Sequence, residues 1–446
     1  MARDFRQALD EGAMSRFQWV AVAICVMLNA LDGFDVLVMA FTAASVSAEW
    51  RLSGAELGVL FSAGLLGMAA GSLLLAPMAD RWGRQPVILL CLVLISVGML
   101  LSALSGSHVE LAAMRALTGL GIGGMLASVT VITAEYSSAK YRSTNIALQS
   151  AGYPLGATVG GVIAAWLLSH YGWRSVFVFG GVVTAVMIPV VLWRLPESVD
   201  FLVARRPRNA LQRLNTQLLK MGQPALAELP VAATGAGAAA SGKVSSLFKG
   251  ELAGATAAIW AAFFLLMFSF YFALSWTPKL LVAAGLSAQQ GITGGVLLNI
   301  GGMLGGSLLG VLAVRLRLVP LVAGSMLLAA LSLAAFAAVT GHLNLAFAAA
   351  FAIGLFLFAS MAGLYAIAPV VYGAAVRTTA LGWAIAAGRV GAIVAPLTAG
   401  MLLDGGWTPA KLYYVFALPM VGAMVAVLAL RRRTAMHPPP RVVGAH

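Results

Sequence analysis

The chain predicts an all-α membrane protein: twelve transmembrane helices arranged as two pseudo-symmetric six-helix bundles. Three observations carry that prediction. Hydrophobic residues make up 61% of 446 and charged residues only 10%, whereas a soluble domain carries about 25% charged residues. Windows of about 19–20 residues, long enough to cross a hydrocarbon core, yield twelve apolar spans. Short motifs of the first half recur in the second at a nearly constant offset.

The spans follow in order. The first, 18–45, holds Asp32 and Asp35 in an otherwise apolar stretch. A polar N-terminus of mixed charge precedes it, and the apolar run is too long for a signal-peptide core, so an uncleaved first helix is expected. Spans 54–78 and 86–105 flank the turn APMADRWGRQ at 76–85. Span 109–134 opens RALTGLGIGG from Arg115, and 143–169 contains GYPLGATVGG from Gly152. Glycines so spaced let helices approach closely. Span 174–194 precedes LPES at 195–198. Residues 195–250 read as a polar cytoplasmic central loop, with ATGAGAAASGK as a flexible linker. The second six spans are 252–278, 288–314, 318–340, 343–372, 378–403 and 409–430. The expected domains are therefore a bundle over 1–194, the loop over 195–250, and a bundle with a cytoplasmic tail over 251–446.

GMAAGSLL at Gly67 recurs as GMLGGSLL at Gly302, an offset of 235, and Gly172–Trp173 recurs as Gly406–Trp407, an offset of 234. Two matches in register with the span count indicate a duplicated six-helix unit of unchanged topology. Transporters built from such parallel repeats place the substrate near the midplane between the halves. The net charge of +13 does not point to nucleic acid. With both termini inside, 22 Lys and Arg fall on the inner side and four (Arg51, Arg174, Lys279, Lys411) on the outer, which sets cytoplasmic termini. Cys25 and Cys91 lie inside spans, so no disulfide framework is expected. His108, His170, His342, His437 and His446 lie in loops or the tail without ligand spacing, and no nucleotide-binding loop occurs. No metal, cofactor or enzymatic activity is expected.

Two carboxylates in a span cost roughly 2.5–3.5 kcal/mol each on insertion scales. Spaced by three, Asp32 and Asp35 share a helical face and look into one cavity. Arg115 lies about 9 Å from the outer end of its span, at a similar depth, and is expected to pair with Asp32 or Asp35. Deprotonated, the aspartate holds Arg115; protonated, it releases it. Asp35, one turn nearer the outer face, is favoured as proton carrier, and a static structural bridge is the alternative. Arg389 lies roughly 16 Å into span eleven, beside Gly388 and Gly391. Its planar fork suits a carboxylate, so it is the expected substrate anchor, with a salt bridge between the halves as the alternative. Phe270, Tyr271, Trp276, Tyr365 and Trp383 are candidates for an aromatic slot, and Asn299 for a donor to a ring hydroxyl. The competing reading is that such aromatics face lipid, with Trp276 beside Pro278 an interfacial anchor.

The 76–85 turn resembles the loop signature G-x-x-x-D-R-x-G-R-[RK] of the major facilitator superfamily, with Ala76 and Gln85 departing from it. The resemblance implies that Asp80, Arg81, Gly83 and Arg84 form a conformational latch. Glu135 and Arg142, in EYSSAKYR at 135–142, belong with them. Span four is similar to the superfamily's R-x-x-x-G-x-G-x-G, whereas span five lacks the Gly-Pro of its antiporters, having Gly156–Ala157. The DGFD of span one, with Arg115, Glu135 and Arg389, resembles the aromatic acid:proton symporter family. That family implies proton-driven uptake, by alternating access, of a benzoate, hydroxybenzoate, gentisate or chlorophenoxyacetate. It also implies a multi-pass protein of the bacterial inner membrane, expected to act as a monomer with a small aromatic carboxylate, a proton and the bilayer as its partners. Two alternatives stand beside it: an exporter or sugar or other small-solute carrier of the same fold, and a ligand sensor without flux.

Overall fold

A computed structural model describes residues 10–230, 247–248, 252–339, 342–372 and 376–436. Among them are twelve helices long and apolar enough to cross a membrane, as the sequence predicts. In the first half they are α1 (Arg16–Trp50), α2 (Gly54–Leu74), α3 (Arg84–Leu104), α4 (His108–Glu135), α5 (Arg142–Tyr171) and α6 (Trp173–Arg194). In the second they are α7 (Leu252–Ala283), α8 (Ala288–Ala313), α9 (Leu318–Val339), α10 (Leu343–Val371), α11 (Arg377–Asp404) and α12 (Pro409–Met436). The glycine-rich tract at 233–243, His437 and His446 lie outside the described residues.

Local chemistry sets the helix ends. The Ser15 hydroxyl accepts the Gln18 N–H while the Gln18 side chain accepts the Ser15 N–H, and Ser287 with Gln290 repeats this box at α8. Each box satisfies donors that a helix start leaves without partners.

The central segment differs from the polar loop expected. Val199–Arg205 and Ala210–Lys220 are helices, with Phe201, Leu202, Leu214 and Leu218 buried. Leu214 and Leu218 stand four apart, the spacing of one helical stripe. Windows of membrane length pass over helices this short.

The chain divides into two compact units. Unit 1 comprises Met1–Leu52 and Val59–Thr234; unit 2 comprises Ser53–Gly58 and Gly235–His446. Within unit 1, α1 packs on α5, and α3 on α4 and α6. Within unit 2, α7 packs on α11, and α9 on α10 and α12. The pairings are the same six helices later, which is what duplication of one unit requires. Glycines hold equivalent contacts in each. A Cβ at Gly67 or Gly71 of α2 would strike the α4 carbonyls of Ala116 or Leu120, and one at Gly301 or Gly305 of α8 would strike those of Phe351 or Leu355 on α10.

The first turn of α2 belongs to unit 2. There the Asp404 carboxylate, at the end of α11, accepts the N–H groups of Gly54 at 2.6 Å and Ala55 at 2.8 Å. A carboxylate suits this position because the exposed N–H groups of a helix start carry partial positive charge.

Candidate functional site

In unit 1, α1 carries both acids into the helix interior. Asp32 is 3% exposed, Asp35 1% and Arg115 3%. Arg115 meets α1 through the backbone, not through a carboxylate. Its Nη2 donates to the Asp35 carbonyl oxygen at 2.7 Å, its Nη1 reaches Met99 Sδ at 3.4 Å, and its guanidinium lies 6.0 Å from the Phe177 ring centre. Neither carboxylate oxygen of Asp35 has a hydrogen-bond partner, nor does Asp32 Oδ1 or Arg115 Nε. The side-chain pairing expected from the sequence is thus replaced by a contact to the main chain. The geometry explains it: the Asp35 carboxylate turns toward α6, where a Cβ added at Gly180 would lie 3.2 Å from Oδ1. Asp32 lies within electrostatic reach of Cys91 on α3.

One guanidinium and two carboxyls make a set that is neutral when it holds one proton and negative when it holds none. In a dry interior the neutral form is favoured, since an ion removed from water without a close partner costs several kcal/mol. Proton binding is the chemistry such a set supports.

Polar neighbours extend the set beyond the residues singled out from the sequence. Asn29, one turn before Asp32, donates to the Gln149 carbonyl of α5 at 2.6 Å, and Gln149 Oε1 and Thr184 Oγ1 are buried without partners. The signal available was their polarity inside apolar spans, which a hydropathy average dilutes.

In unit 2, Arg389 is half-buried. The Tyr365 hydroxyl lies within electrostatic reach of both Tyr271 and Arg389, and the Tyr365 ring stands edge-on to Phe263 at 5.3 Å. Phe270 meets Tyr271 at 5.5 Å and Phe358 at 4.8 Å. Arg389, Tyr271 and Tyr365 thus lie within electrostatic reach in one region of unit 2, with Phe270 beside Tyr271. Trp276 and Trp383 make other contacts. Trp276 is buried and its Nε1 donates to the Pro396 carbonyl at 3.2 Å, tying α7 to α11. Trp383 is 47% exposed and stacks on Trp260 at 5.8 Å. Six residues separate it from Arg389, which puts the two on different faces of α11. Asn299 is buried, with Nδ2 donating to the Gly295 carbonyl at 2.9 Å and Oδ1 unpartnered.

Of the residues grouped as a latch, Asp80, Gly83, Arg84 and Glu135 meet in one polar network of unit 1. Gly83 adopts φ +103°, where an added Cβ would meet Glu197 Oε2, so the turn needs glycine. Asp80 is exposed and 3.4 Å from Arg84, while Arg205 donates to the Asp80 carbonyl at 2.9 Å. Arg81 is exposed. Glu135 accepts the Ser198 hydroxyl at 2.8 Å, and Arg142 bonds the Ala134 carbonyl and the Asp10 carboxylate. The hub, not singled out from the sequence, is Glu197. It accepts the Arg84 and Ser198 N–H groups at 2.8 Å each. Burial pushes its carboxyl upward, partly offset by these amides and Arg213. Gln85, the departure from the signature, donates to the Val191, Leu192 and Leu195 carbonyls and so closes the end of α6.

Comparisons with known proteins agree on the fold. The xylose transporter of E. coli, in a partially occluded inward open conformation, matches with TM-score 0.71 at 16% identity, over 95% of this chain and 98% of its own. A D-xylose-proton symporter matches with TM-score 0.71 at 17% identity, over 92% and 97%. Among curated relatives, a gallate transporter of Pseudomonas putida is 32% identical over 96% of this chain and 94% of its own. A benzoate transport protein of Acinetobacter baylyi is 28% identical over 97% and 94%, and a 4-hydroxybenzoate transporter of Pseudomonas aeruginosa 29% over 95% and 95%. The family model described as Major Facilitator Superfamily matches residues 22–341; the chain belongs to that superfamily, in the branch its aromatic-acid-transporter relatives occupy, and is a transporter rather than an enzyme.

Proposed function

We propose that this transporter takes up an aromatic carboxylate together with a proton. The observation that carries the reading is the sealed acid pair of α1, where three carboxylate oxygens lack partners beside an arginine engaged with the main chain. Such a set takes up and gives back a proton at modest electrostatic cost, and Asp35, contacted at its own carbonyl by Arg115, is the proposed carrier.

Arg389 is the proposed anchor for the substrate's carboxylate, because its charge is permanent and its fork binds two oxygens at once. The neighbouring phenols of Tyr271 and Tyr365 supply donors and acceptors for ring hydroxyls, and Phe270 supplies apolar surface. The relatives that carry gallate, benzoate and 4-hydroxybenzoate share one substrate feature, a carboxylate on an aromatic ring. An aromatic anion entering alone against an inside-negative potential faces about 2.3 kcal/mol per 100 mV; one accompanying proton removes that cost. The excess of Lys and Arg on one side supports cytoplasmic termini in an inner membrane, with the network around Asp80 and Glu197 acting as the latch during alternating access. A single chain is proposed to suffice.

Uptake into proteoliposomes with an imposed pH gradient tests this, using labelled gallate, 4-hydroxybenzoate, benzoate, gentisate and phenoxyacetate. At least one acid should accumulate with the proton gradient and leak back when an uncoupler is added. Accumulation indifferent to the uncoupler would remove proton coupling; accumulation of none would remove the substrate class.

A further inference from the structure

Among the described residues, many buried hydroxyls return to their own helix, and others, such as Ser96, Ser269 and Thr277, bond a neighbouring one. Thr42, Thr118, Thr133 and Ser102 each bond the carbonyl four residues earlier, at 2.7–3.0 Å. Such back-bonding is the ordinary rest position of a helical Ser or Thr. Thr184 of α6 departs from it: the residue is 1% exposed and its Oγ1 has no partner. A buried hydroxyl held away from the available carbonyl forfeits a bond worth about 1 kcal/mol, so its orientation calls for a reason.

Its position supplies one. The buried face of α6 runs through Phe177, Gly180, Thr184 and Met187. Phe177 lies under Arg115 and Gly180 beside Asp35 Oδ1. Thr184 is the next step along the same face. The two helices run in opposite senses, since Glu49 of α1 bonds Trp173 and Arg174 at the start of α6 and Asp35 meets Gly180 farther along. One turn beyond Gly180 on α6 therefore corresponds to one turn before Asp35 on α1, which is Asp32. Asp32 Oδ1 is buried without a partner too, as are both Asp35 carboxylate oxygens and Gln149 Oε1. Ser96 of α3 donates to the Gly181 carbonyl at 2.8 Å and fixes α6 at this height.

We infer that Thr184 is a positioning residue for the proton site, its hydroxyl serving Asp32 in both protonation states. A hydroxyl donates to a carboxylate and accepts from a carboxylic acid, so it can stay with Asp32 as one proton is shared between Asp32 and Asp35. Among the described residues, Arg115 of α4 and Cys91 of α3 are the titratable or charged groups shown within reach of these carboxyls, and on α5 the main chain of Tyr153 packs on Gly33. The buried face of α6 adds none. Thr184 is the polar contribution of α6 to the set.

The inference rests on the proton-coupled reading above, and the test separates the two. Substrate exchange across proteoliposomes at equal pH on both sides is measured against pH, with the panel acid that the wild-type protein accumulates. Exchange needs the loaded, protonated carrier and declines as pH rises. Thr184→Val removes the donor to ionised Asp32 and should move that decline upward by about one pH unit, with gradient-driven uptake slowed several-fold. Thr184→Ser should restore the wild-type profile. The thermal midpoint of Thr184→Val should stay near wild type, because an isosteric methyl keeps the packing of α6. An unmoved pH profile in Thr184→Val, or a Ser variant displaced as far as Val, overturns the assignment. A wild-type protein whose exchange ignores pH and whose uptake ignores an uncoupler overturns the coupling reading itself, and the role of Thr184 with it.

Discussion

Unit 1 and unit 2 share their helix pairings and differ in where they keep charge. Unit 1 seals two carboxyls and a guanidinium inside its helices, each exposed by 3% or less. Unit 2 has a half-buried arginine among phenols and rings. A carboxyl can change its charge, whereas a guanidinium cannot at accessible pH. Duplication has thus kept the backbone packing and let the side chains diverge toward two chemistries, one titratable and one fixed. If that division is real, substitutions in the two units will fail in different assays.

The largest effect belongs to Arg389. On the proposed anchor role, Arg389→Ala would remove charge-assisted hydrogen bonds worth about 1.5–3 kcal/mol, so equilibrium binding of the aromatic acid should weaken by about 10- to 100-fold. Arg389→Lys should recover little, since a point charge does not reproduce the fork. Asp35→Asn should do the reverse: gradient-driven uptake is lost while binding and exchange persist, because the amide imitates the protonated acid. Binding calorimetry beside uptake separates the two outcomes. An Arg389→Ala variant that binds normally, or an Asp35→Asn variant that still concentrates substrate, would dissolve the division.

The sequence shows the backbone plan more fully than the side-chain geometry, for physical reasons. Membrane spans announce themselves because every residue facing lipid must be apolar over a fixed length, and all twelve were readable. Asp32, Asp35, Arg115 and Arg389 stood out because charge in a span is expensive. Their partners did not stand out. Whether Arg115 meets a carboxylate or a carbonyl depends on side-chain direction across helices far apart in sequence, and Trp383, a candidate for the aromatic slot, lies on a different face of α11 from Arg389. The short helices at Val199–Arg205 and Ala210–Lys220, and the hub Glu197, escaped because their signal is local amphipathicity and backbone amides, neither of which registers in a long hydropathy window.

The shared glycine motif gives a smaller and sharper comparison. The 235-residue motif offset matches Gly71 to Gly306, but its packing counterpart is Gly305: a Cβ at Gly71 would strike the Leu120 carbonyl, one at Gly305 the Leu355 carbonyl, and one at Gly306 nothing within 4 Å. Gly71→Ala should therefore destabilise by about 1–3 kcal/mol through overpacking. Gly306→Ala should be neutral or stabilise by up to about 1 kcal/mol, as helix propensity favours alanine. Thermal midpoints in detergent decide it. Equal losses at both sites would mean that the close contact in unit 2 follows the motif offset to Gly306 and not the packing counterpart Gly305.

The smallest effect concerns Glu197. Its carboxyl is pushed above the ordinary glutamate range chiefly by burial, so the folded state disfavours the ionised form relative to the unfolded chain. The sign follows from proton linkage: the stabilisation is fully present below the ordinary glutamate range and is lost as pH rises through the folded value. The thermal midpoint should accordingly fall slightly over that interval. Glu197→Gln keeps an oxygen to accept the Arg84 and Ser198 amides and removes the charge, so the slope should flatten while the midpoint at low pH stays near wild type. A midpoint that instead climbs with pH would show that the amides and Arg213 outweigh burial at this hub.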